Sequence, residues 1–399
     1  MTTRLYYTDP LLTTFDATVV SCEPAAAGFD VALDQTAFYP TSGGQPFDTG
    51  RLGAASVIEV VDRDDGSIAH LVDAPLAVDT RVLGQIDWAR RFDHMQQHTG
   101  QHVLSAAFDR LCGVRTTSFH LGADASTIDL AREVTAAEVA AAEDEACRIV
   151  WEDRPVEVRF VSEEEARALP LRKESLRTGE LRLVEIEDFD LSACGGTHVP
   201  TTGRIGIIAV AGRERFKGAS RITFVCGGRA LRSHGRLRDI VEAASRSLSV
   251  SGNEVPDAVA RLGDALREAN RHRKVMSEEL AGFRAAHWAS EAETIGAHRV
   301  VLRHESDSDA VMLKTLASAI VKDGGRVAVL VGAGEPRAVV AARSSDVAWD
   351  AGAWIKQAAA TLGGRGGGRP ELAQAGIAAP AETILALARE SLAPSPGAP

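Results

Sequence analysis

No stretch of this chain is apolar for long enough to cross a bilayer, and its first residues, MTTRLYYTDP, carry no basic segment followed by an apolar one. Neither membrane insertion nor secretion is expected, and a cytoplasmic location is. Cysteine is sparse and odd in number: Cys22, Cys112, Cys147, Cys194 and Cys226 lie scattered over 399 residues, which argues against a disulfide framework and fits a reducing compartment. A positive net charge is absent as well. The formal charge of -11 argues against a surface that is basic throughout, but it leaves room for a local one. Between Arg204 and Arg238 the chain carries Arg213, Arg215, Lys217, Arg221, Arg229, Arg232 and Arg236, with Glu214 as the only acid. Such a stretch is a candidate phosphate-binding surface, with a solvated charged face as the plainer reading.

With 45% hydrophobic and 25% charged residues the composition is that of a folded globular chain. At roughly 100–200 residues per domain, two to four domains are expected. Residues 14–90 alternate apolar runs with Gly, Pro and Asp turn signals, which predicts a small β-barrel. From residue 93 to 111 the apolar period becomes helical, and strands are predicted at 116–121 and 127–130. A helix over 135–150, strands at 156–161 and 181–187, and strands at 205–210 and 221–226 complete a two-layer α/β domain. Residues 230–293 read as a linker of two helices packing on a neighbour, with Val259, Leu262, Leu266, Leu280 and Phe283 as an interrupted apolar stripe. A βαββα rhythm from about residue 298 runs into a glycine-rich loop at 363–370, a last helix near 381–392 and a frayed tail. The expected fold class is α+β and multidomain: an N-terminal β-rich domain at 1–92, a zinc-binding α/β domain at 93–229, a helical linker at 230–293 and a C-terminal α/β domain at 294–399.

The segment HMQQHTGQH sets His98 and His102 four residues apart, on one face of a helix, where both imidazoles can reach one ion. Cys194 and His198 bracket two glycines in CGGTH, a loop able to curl so that both side chains converge. Together they form a mixed Cys/His set suited to one zinc ion per chain. His94, one turn earlier, competes as a ligand or supports the site from outside it. Thr99 stands where a metalloprotease of this spacing would carry its glutamate base, so peptide hydrolysis is disfavoured. Whether the ion is catalytic or structural stays open, because four protein ligands close a tetrahedral shell.

Five motifs occur in order: FYPTSGGQPFDTG at 38–50, HTGQH at 98–102, SFHLG at 118–122, CGGTHV at 194–199 and GGRGGGRPELAQAG at 363–376. In these the chain resembles the long, free-standing alanyl-tRNA editing proteins, which correspond to the editing and C-terminal domains of alanyl-tRNA synthetase without its aminoacylation domain. The resemblance implies hydrolysis in trans of mischarged Ser-tRNA(Ala), with Gly-tRNA(Ala) as a second substrate, releasing the amino acid and free tRNA. It implies zinc held by His98, His102, Cys194 and His198, with His98, His102, Cys194 and Gln101 forming the catalytic set. Thr116, Thr117 and Ser118 fall in the hairpin that lines the amino-acid pocket in the family. Gly43, Gly44 and Gln45 match the motif that packs against it, and Ser42 stands where many relatives have a third glycine. Gln101 occupies a place where synthetase editing domains commonly carry threonine.

Candidate tRNA contacts are Arg213, Arg215, Lys217 and Arg221 in the basic stretch, with Arg365 and Arg369 in the glycine-rich loop. That loop lacks the Gly-Lys-Ser/Thr ending of a P-loop, so no nucleoside triphosphate is expected. In the family the C-terminal domain also implies a homodimer. Two other classes compete with the hydrolase: an RNA-binding or oligomerising module whose zinc only holds the fold, and a hydrolase of other metabolite esters.

Overall fold

A computed structural model describes residues 1–172 and 179–394. The chain divides into two compact units, Met1–Ala244 and Ser245–Pro399. The last residues of the expected frayed tail lie outside the described residues.

In the first unit, six strands close into a barrel in the order Thr14–Ala25, Gly28–Leu33, Ile68–Val72, Ala55–Asp62, Gly50–Leu52 and Arg81–Ile86. Alternation along each strand sends Phe15, Ala17 and Val19, then Val31 and Leu33, into one apolar interior. The helix Trp88–Cys112 leaves the barrel directly. It starts earlier than its apolar period suggests, because the Asp87 carboxylate caps the Arg90 amide, and it ends at Gly113 with φ 63°. Arg91, fully buried, is bonded to the Asp48 carboxylate and to the carbonyls of Pro10 and Ala37, so an ion pair inside the protein fixes this helix to the barrel.

The helix is surrounded. Its polar residues in the middle are buried but bonded: Gln97 exchanges two hydrogen bonds with the Cys226 backbone, and Gln96 donates to the Arg204 carbonyl. It packs with the helix Ala136–Trp151, which begins in a Thr135/Glu138 capping box. Against these lies an antiparallel four-stranded sheet ordered Ile208–Phe216, Ala219–Cys226, Ser126–Leu130, Thr116–Leu121. A separate three-stranded sheet, Val156–Val161, Leu181–Ile186 and Asp190–Ala193, delivers the chain to the CGGTH segment. The α/β layers and the closed barrel follow the expected class.

The second unit holds a mixed six-stranded sheet ordered Glu293–Ile295, His298–His304, Arg326–Val331, Arg337–Arg343, Leu372–Ile377, Gly364–Arg369. Alternation again separates its faces: Ala328 and Leu330 pack against the helix Ala310–Ile320 and the end of Val255–Ser290, while Val329 and Val331 pack against Ala351–Leu362 and Ala381–Leu392.

Two expectations are corrected here. The segment read as a glycine-rich loop is the edge strand Gly364–Arg369, paired with Leu372–Ile377. Its glycines allow close approach: a Cβ at Gly366 would sit 2.3 Å from that of Ala375. The stripe Val259, Leu262, Leu266, Leu280 and Phe283 is exposed, and the helix Val255–Ser290 instead buries Ala258, Ala281, Ala285, Trp288 and Ala289. No described helix is long and apolar enough to cross a membrane.

Candidate metal centre and its cavity

The helix Trp88–Cys112 contributes His98 and His102, and the loop after Asp190–Ala193 contributes Cys194 and His198; their ligand atoms all lie within 4.8 Å of one another. His98 Nε2 is 3.4 Å and His198 Nε2 is 3.3 Å from Cys194 Sγ. A tetrahedral ion with bonds of roughly 2.0–2.3 Å requires donor separations of about 3.3–3.6 Å, so His98 and His198 already stand at that spacing from Cys194. Gly196 makes this possible by size rather than by an unusual turn, since a Cβ there would fall 2.1 Å from His98 Cε1.

Each imidazole is oriented through its other nitrogen. In the Nδ1–H tautomer His98 donates to Gln45 Oε1 at 2.8 Å, His102 to Asp190 Oδ2 at 2.9 Å and His198 to Thr99 Oγ1 at 3.2 Å. The three Nε2 atoms are thereby turned toward the thiol, where an ion would take the place of any proton they carry. Asp190 is itself held by Arg172 and Ser192. Gln45 accepts also from the Thr197 amide and donates to the Thr197 hydroxyl, so the barrel grips the CGGTH loop through it.

Electrostatics follow from these contacts. Burial alone would raise the Cys194 thiol, but the facing imidazoles outweigh it and hold the group well below its ordinary value, as a metal ligand requires. Burial pulls the His198 imidazole down to about 3, keeping it neutral. For His102 burial acts in the same direction, but the bond to Asp190 and the proximity of Cys194 lift it to about 9. The residues present fit a divalent ion of the zinc type.

The cluster opens into a cavity of about 510 Å³ lined by Gln101, Thr116, Ser118, Gly43, Tyr7 and Arg182 among others. Ser105, fully buried, accepts from Gln101 Nε2 and from Thr116 Oγ1, both at 2.8 Å. Gly43 and Gly44, with φ of 53° and 83°, form a tight turn closed by Ser42 and Gln45, and the Gly44 carbonyl accepts from Leu121.

Residues 181–223 match the threonyl and alanyl tRNA synthetase second additional domain, and residues 296–393 match the DHHA1 domain. The chain is 31% identical to the alanyl-tRNA editing protein AlaX-L of Pyrococcus horikoshii, over 98% of both proteins. This chain belongs to the alanyl-tRNA editing proteins. It is also 33% identical to the mouse editing protein Aarsd1 over 77% of this chain and 78% of that one. Against the alanine–tRNA ligase of Pyrococcus furiosus it is 35% identical over 94% of its own length, and it spans 42% of the ligase.

Within this editing-family chain, not every expected site residue reaches the cavity. His98, His102, Cys194, Gln101, Thr116, Ser118 and Gly43 line it. Thr117 does not: strand alternation turns it the other way, where its hydroxyl donates to the Asp129 carbonyl. Gln45 and Gly44 lie behind the cavity wall, against His98 and Phe119. His94 is buried outside the cluster, its Nδ1 without a hydrogen-bond partner among the described residues.

The basic stretch is largely neutralised by residues remote in sequence. Arg221 pairs with Asp129, Arg215 with Glu133 and Arg229 with Asp93, and Arg213 donates to the Val134 carbonyl. Lys217 stands at the hairpin tip with φ 49°. Arg365 and Arg369 point to one side of the exposed edge strand, with no ion-pair partner among the described residues. Residues that sequence reasoning missed include Asp190, Arg172, Ser105, Arg182, Tyr7 and Tyr39. Asp190 meets His102 across 88 residues and Arg182 meets Tyr7 across 175, whereas Ser105 lies one helical turn from Gln101 and could have been found by that spacing.

Proposed function

We propose that this protein is a trans-editing hydrolase that deacylates mischarged Ser-tRNA(Ala), with Gly-tRNA(Ala) tested beside it, releasing the amino acid and intact tRNA in the cytoplasm. The observation that carries the proposal is a His/Cys cluster able to hold a metal, lining a cavity that also carries hydroxyl groups, in a chain that matches an editing protein over nearly its whole length. His98, His102, Cys194 and His198 would hold one zinc ion, which when bound supplies a positive charge against the ester oxygen.

Hydrolysis adds water to the ester carbonyl and breaks the bond to the ribose oxygen, giving free serine and a tRNA hydroxyl. The ester is already activated, so the cavity need only orient it and admit water. Thr116 and Ser118, with Gln101 held by Ser105, are set to pair with a seryl hydroxyl. An alanyl ester offers this polar wall no hydroxyl to pair with, a mode of rejection that reaches roughly 10⁴-fold where the groups left unpaired are buried, as Gln101 and Ser105 are. Lys217, Arg365 and Arg369 are the basic side chains that best fit the role of tRNA contacts, and a dimer through the C-terminal region is retained as part of the proposal. The four-part division at 92/93, 229/230 and 293/294 is likewise a proposal, checked by where limited proteolysis cuts.

One observation favours a second reading. The four ligands can complete a shell by themselves, as in an RNA-binding module with structural zinc. Purified protein incubated with Ser-tRNA(Ala) separates the two: the editing hydrolase releases serine, and the binding module protects the ester. Loss of serine release in His102→Ala, with fold retained, is the expected companion result; full activity and full zinc content in that variant would remove the metal-centred version.

A further inference from the structure

The cavity wall carries a guanidinium that no carboxylate among the described residues pairs. Its lining includes the arginines Arg172 and Arg182. Arg172 is paired with Asp190. Arg182, on the strand Leu181–Ile186 and 8% exposed, has no ion-pair partner among the described residues. Its Nε donates to the Tyr7 carbonyl at 3.2 Å and its Nη1 to the Cys194 carbonyl at 2.6 Å, while Nη2 has no hydrogen-bond partner among the described residues. The Tyr7 ring lies 5.5 Å from the guanidinium carbon. Glu180 borders the same cavity from an exposed position and forms no ion pair with Arg182 among the described residues.

Besides these carbonyls the guanidinium faces the Cys194 thiolate, which an ion held by the His/Cys cluster would engage, so Arg182 keeps a charge that an incoming anion can compensate. With Nε and Nη1 engaged, Nη2 keeps its N–H donors for a phosphate oxygen. The aminoacyl end of a charged tRNA offers one kind of anion, because its amino group is cationic and its carboxyl is esterified. That anion is the phosphodiester of the terminal nucleotide. The cavity, about 510 Å³, lies in the range of roughly 300–1,000 Å³ that holds a ligand of drug size, the class to which a nucleoside ester belongs.

We infer that Arg182 binds the phosphodiester next to the scissile ester and so seats the terminal nucleotide in the cavity with its ester over the His/Cys cluster. The inference rests on the ester-hydrolase reading above. Arg182 is a binding residue, and the loop bond from Nη1 to Cys194 ties that binding to the metal ligands.

The test compares two small substrates, 3′-O-seryl-adenosine and the same compound carrying a 5′-phosphate methyl ester. Wild-type protein is expected to favour the phosphodiester in kcat/KM by roughly 10- to 100-fold, the worth of a charged hydrogen bond, mostly through KM. In Arg182→Gln the ratio should fall close to one, with zinc content and Tm reported alongside, and Arg182→Lys should restore part of it. A structural loss alone would lower both rates and leave the ratio intact. The ratio in the wild type needs no variant, so a misfolded Arg182→Gln does not remove the test. Equal rates in the wild type, or an unchanged ratio in Arg182→Gln, overturn the inference while leaving the hydrolase reading standing. Cleavage of neither ester, and of no Ser-tRNA(Ala), overturns that reading and the inference with it.

Discussion

Replacing Gln45 by alanine removes a single amide that reaches the metal ligands from the barrel. Its Oε1 accepts from His98 Nδ1 at 2.8 Å and from the Thr197 amide at 3.1 Å, and its Nε2 donates to Thr197 Oγ1 at 2.8 Å. Without it, His98 is free to rotate or change tautomer, and loss of such an outer partner typically weakens metal binding by about 10- to 100-fold. That corresponds to roughly 1.4–2.7 kcal/mol of binding. The orphaned Thr197 amide, at a fully buried residue, should lower folding stability by about 1–3 kcal/mol whether or not zinc is present. Chelator competition reads the first effect, and thermal unfolding across a zinc series separates the two. A ligand that binds only the folded chain raises stability once its concentration exceeds Kd, so the onset of stabilisation should move to 10- to 100-fold higher zinc. Gln45→Glu keeps an acceptor for His98 but loses the donor to Thr197, and it should bind zinc more tightly than Gln45→Ala. A folded Gln45→Ala protein with wild-type zinc affinity would refute the orienting role.

Arg91→Leu leaves the Asp48 carboxylate buried and unpaired, and urea unfolding should register a loss of about 3–5 kcal/mol; a loss below about 1 kcal/mol would contradict the buried pair. His70 is buried in the barrel between the Val31 carbonyl and the Thr36 hydroxyl, and burial pulls its imidazole down to about 4. Above pH 6.5 both folded and unfolded forms are neutral and nothing changes. As pH falls from 6.5 toward 4 the unfolded chain takes up a proton that the folded one refuses, so His70 should reduce stability by up to about 3 kcal/mol, a slope that His70→Gln flattens. Ser105→Ala removes the acceptor shared by Gln101 and Thr116, and the preference for seryl over alanyl ester should drop about tenfold or more, near 1.4 kcal/mol. The double change Arg365→Glu and Arg369→Glu should weaken tRNA binding and lower its salt slope by roughly 1–2, with folding unaffected; an unchanged slope removes that edge strand from recognition.

What could be read from the sequence was what proximity along the chain encodes. His98 and His102 are one helical turn apart, and Cys194 and His198 share a short loop, so residue type and spacing suffice to pair them. The same holds for the helix over Ala136–Trp151, where Thr135 and Glu138 cap each other at short range. The contacts that orient the ligands are different in kind. Gln45 meets His98 across 53 residues and Asp190 meets His102 across 88, and only the folded chain brings them together. Long range also reverses the reading of charge: Arg221 and Arg215 look unopposed along the chain until Asp129 and Glu133 arrive from neighbouring elements. Thr117 was misplaced for a local reason, since in a strand two adjacent hydroxyls cannot face one cavity. The glycines of the C-terminal motif suggested a loop because their usual signal is conformational freedom, whereas at Gly366 the missing Cβ makes room for the paired strand at Gln374 and Ala375.

The most direct measurement is a deacylation panel of Ser-, Gly- and Ala-tRNA(Ala) with purified, zinc-assayed protein. The account predicts about one zinc per chain, rapid release of serine, and an alanyl ester that survives with a rate lower by roughly 10⁴-fold. Equal cleavage of all three esters would contradict the hydroxyl-lined recognition site, and cleavage of none would contradict the editing function itself.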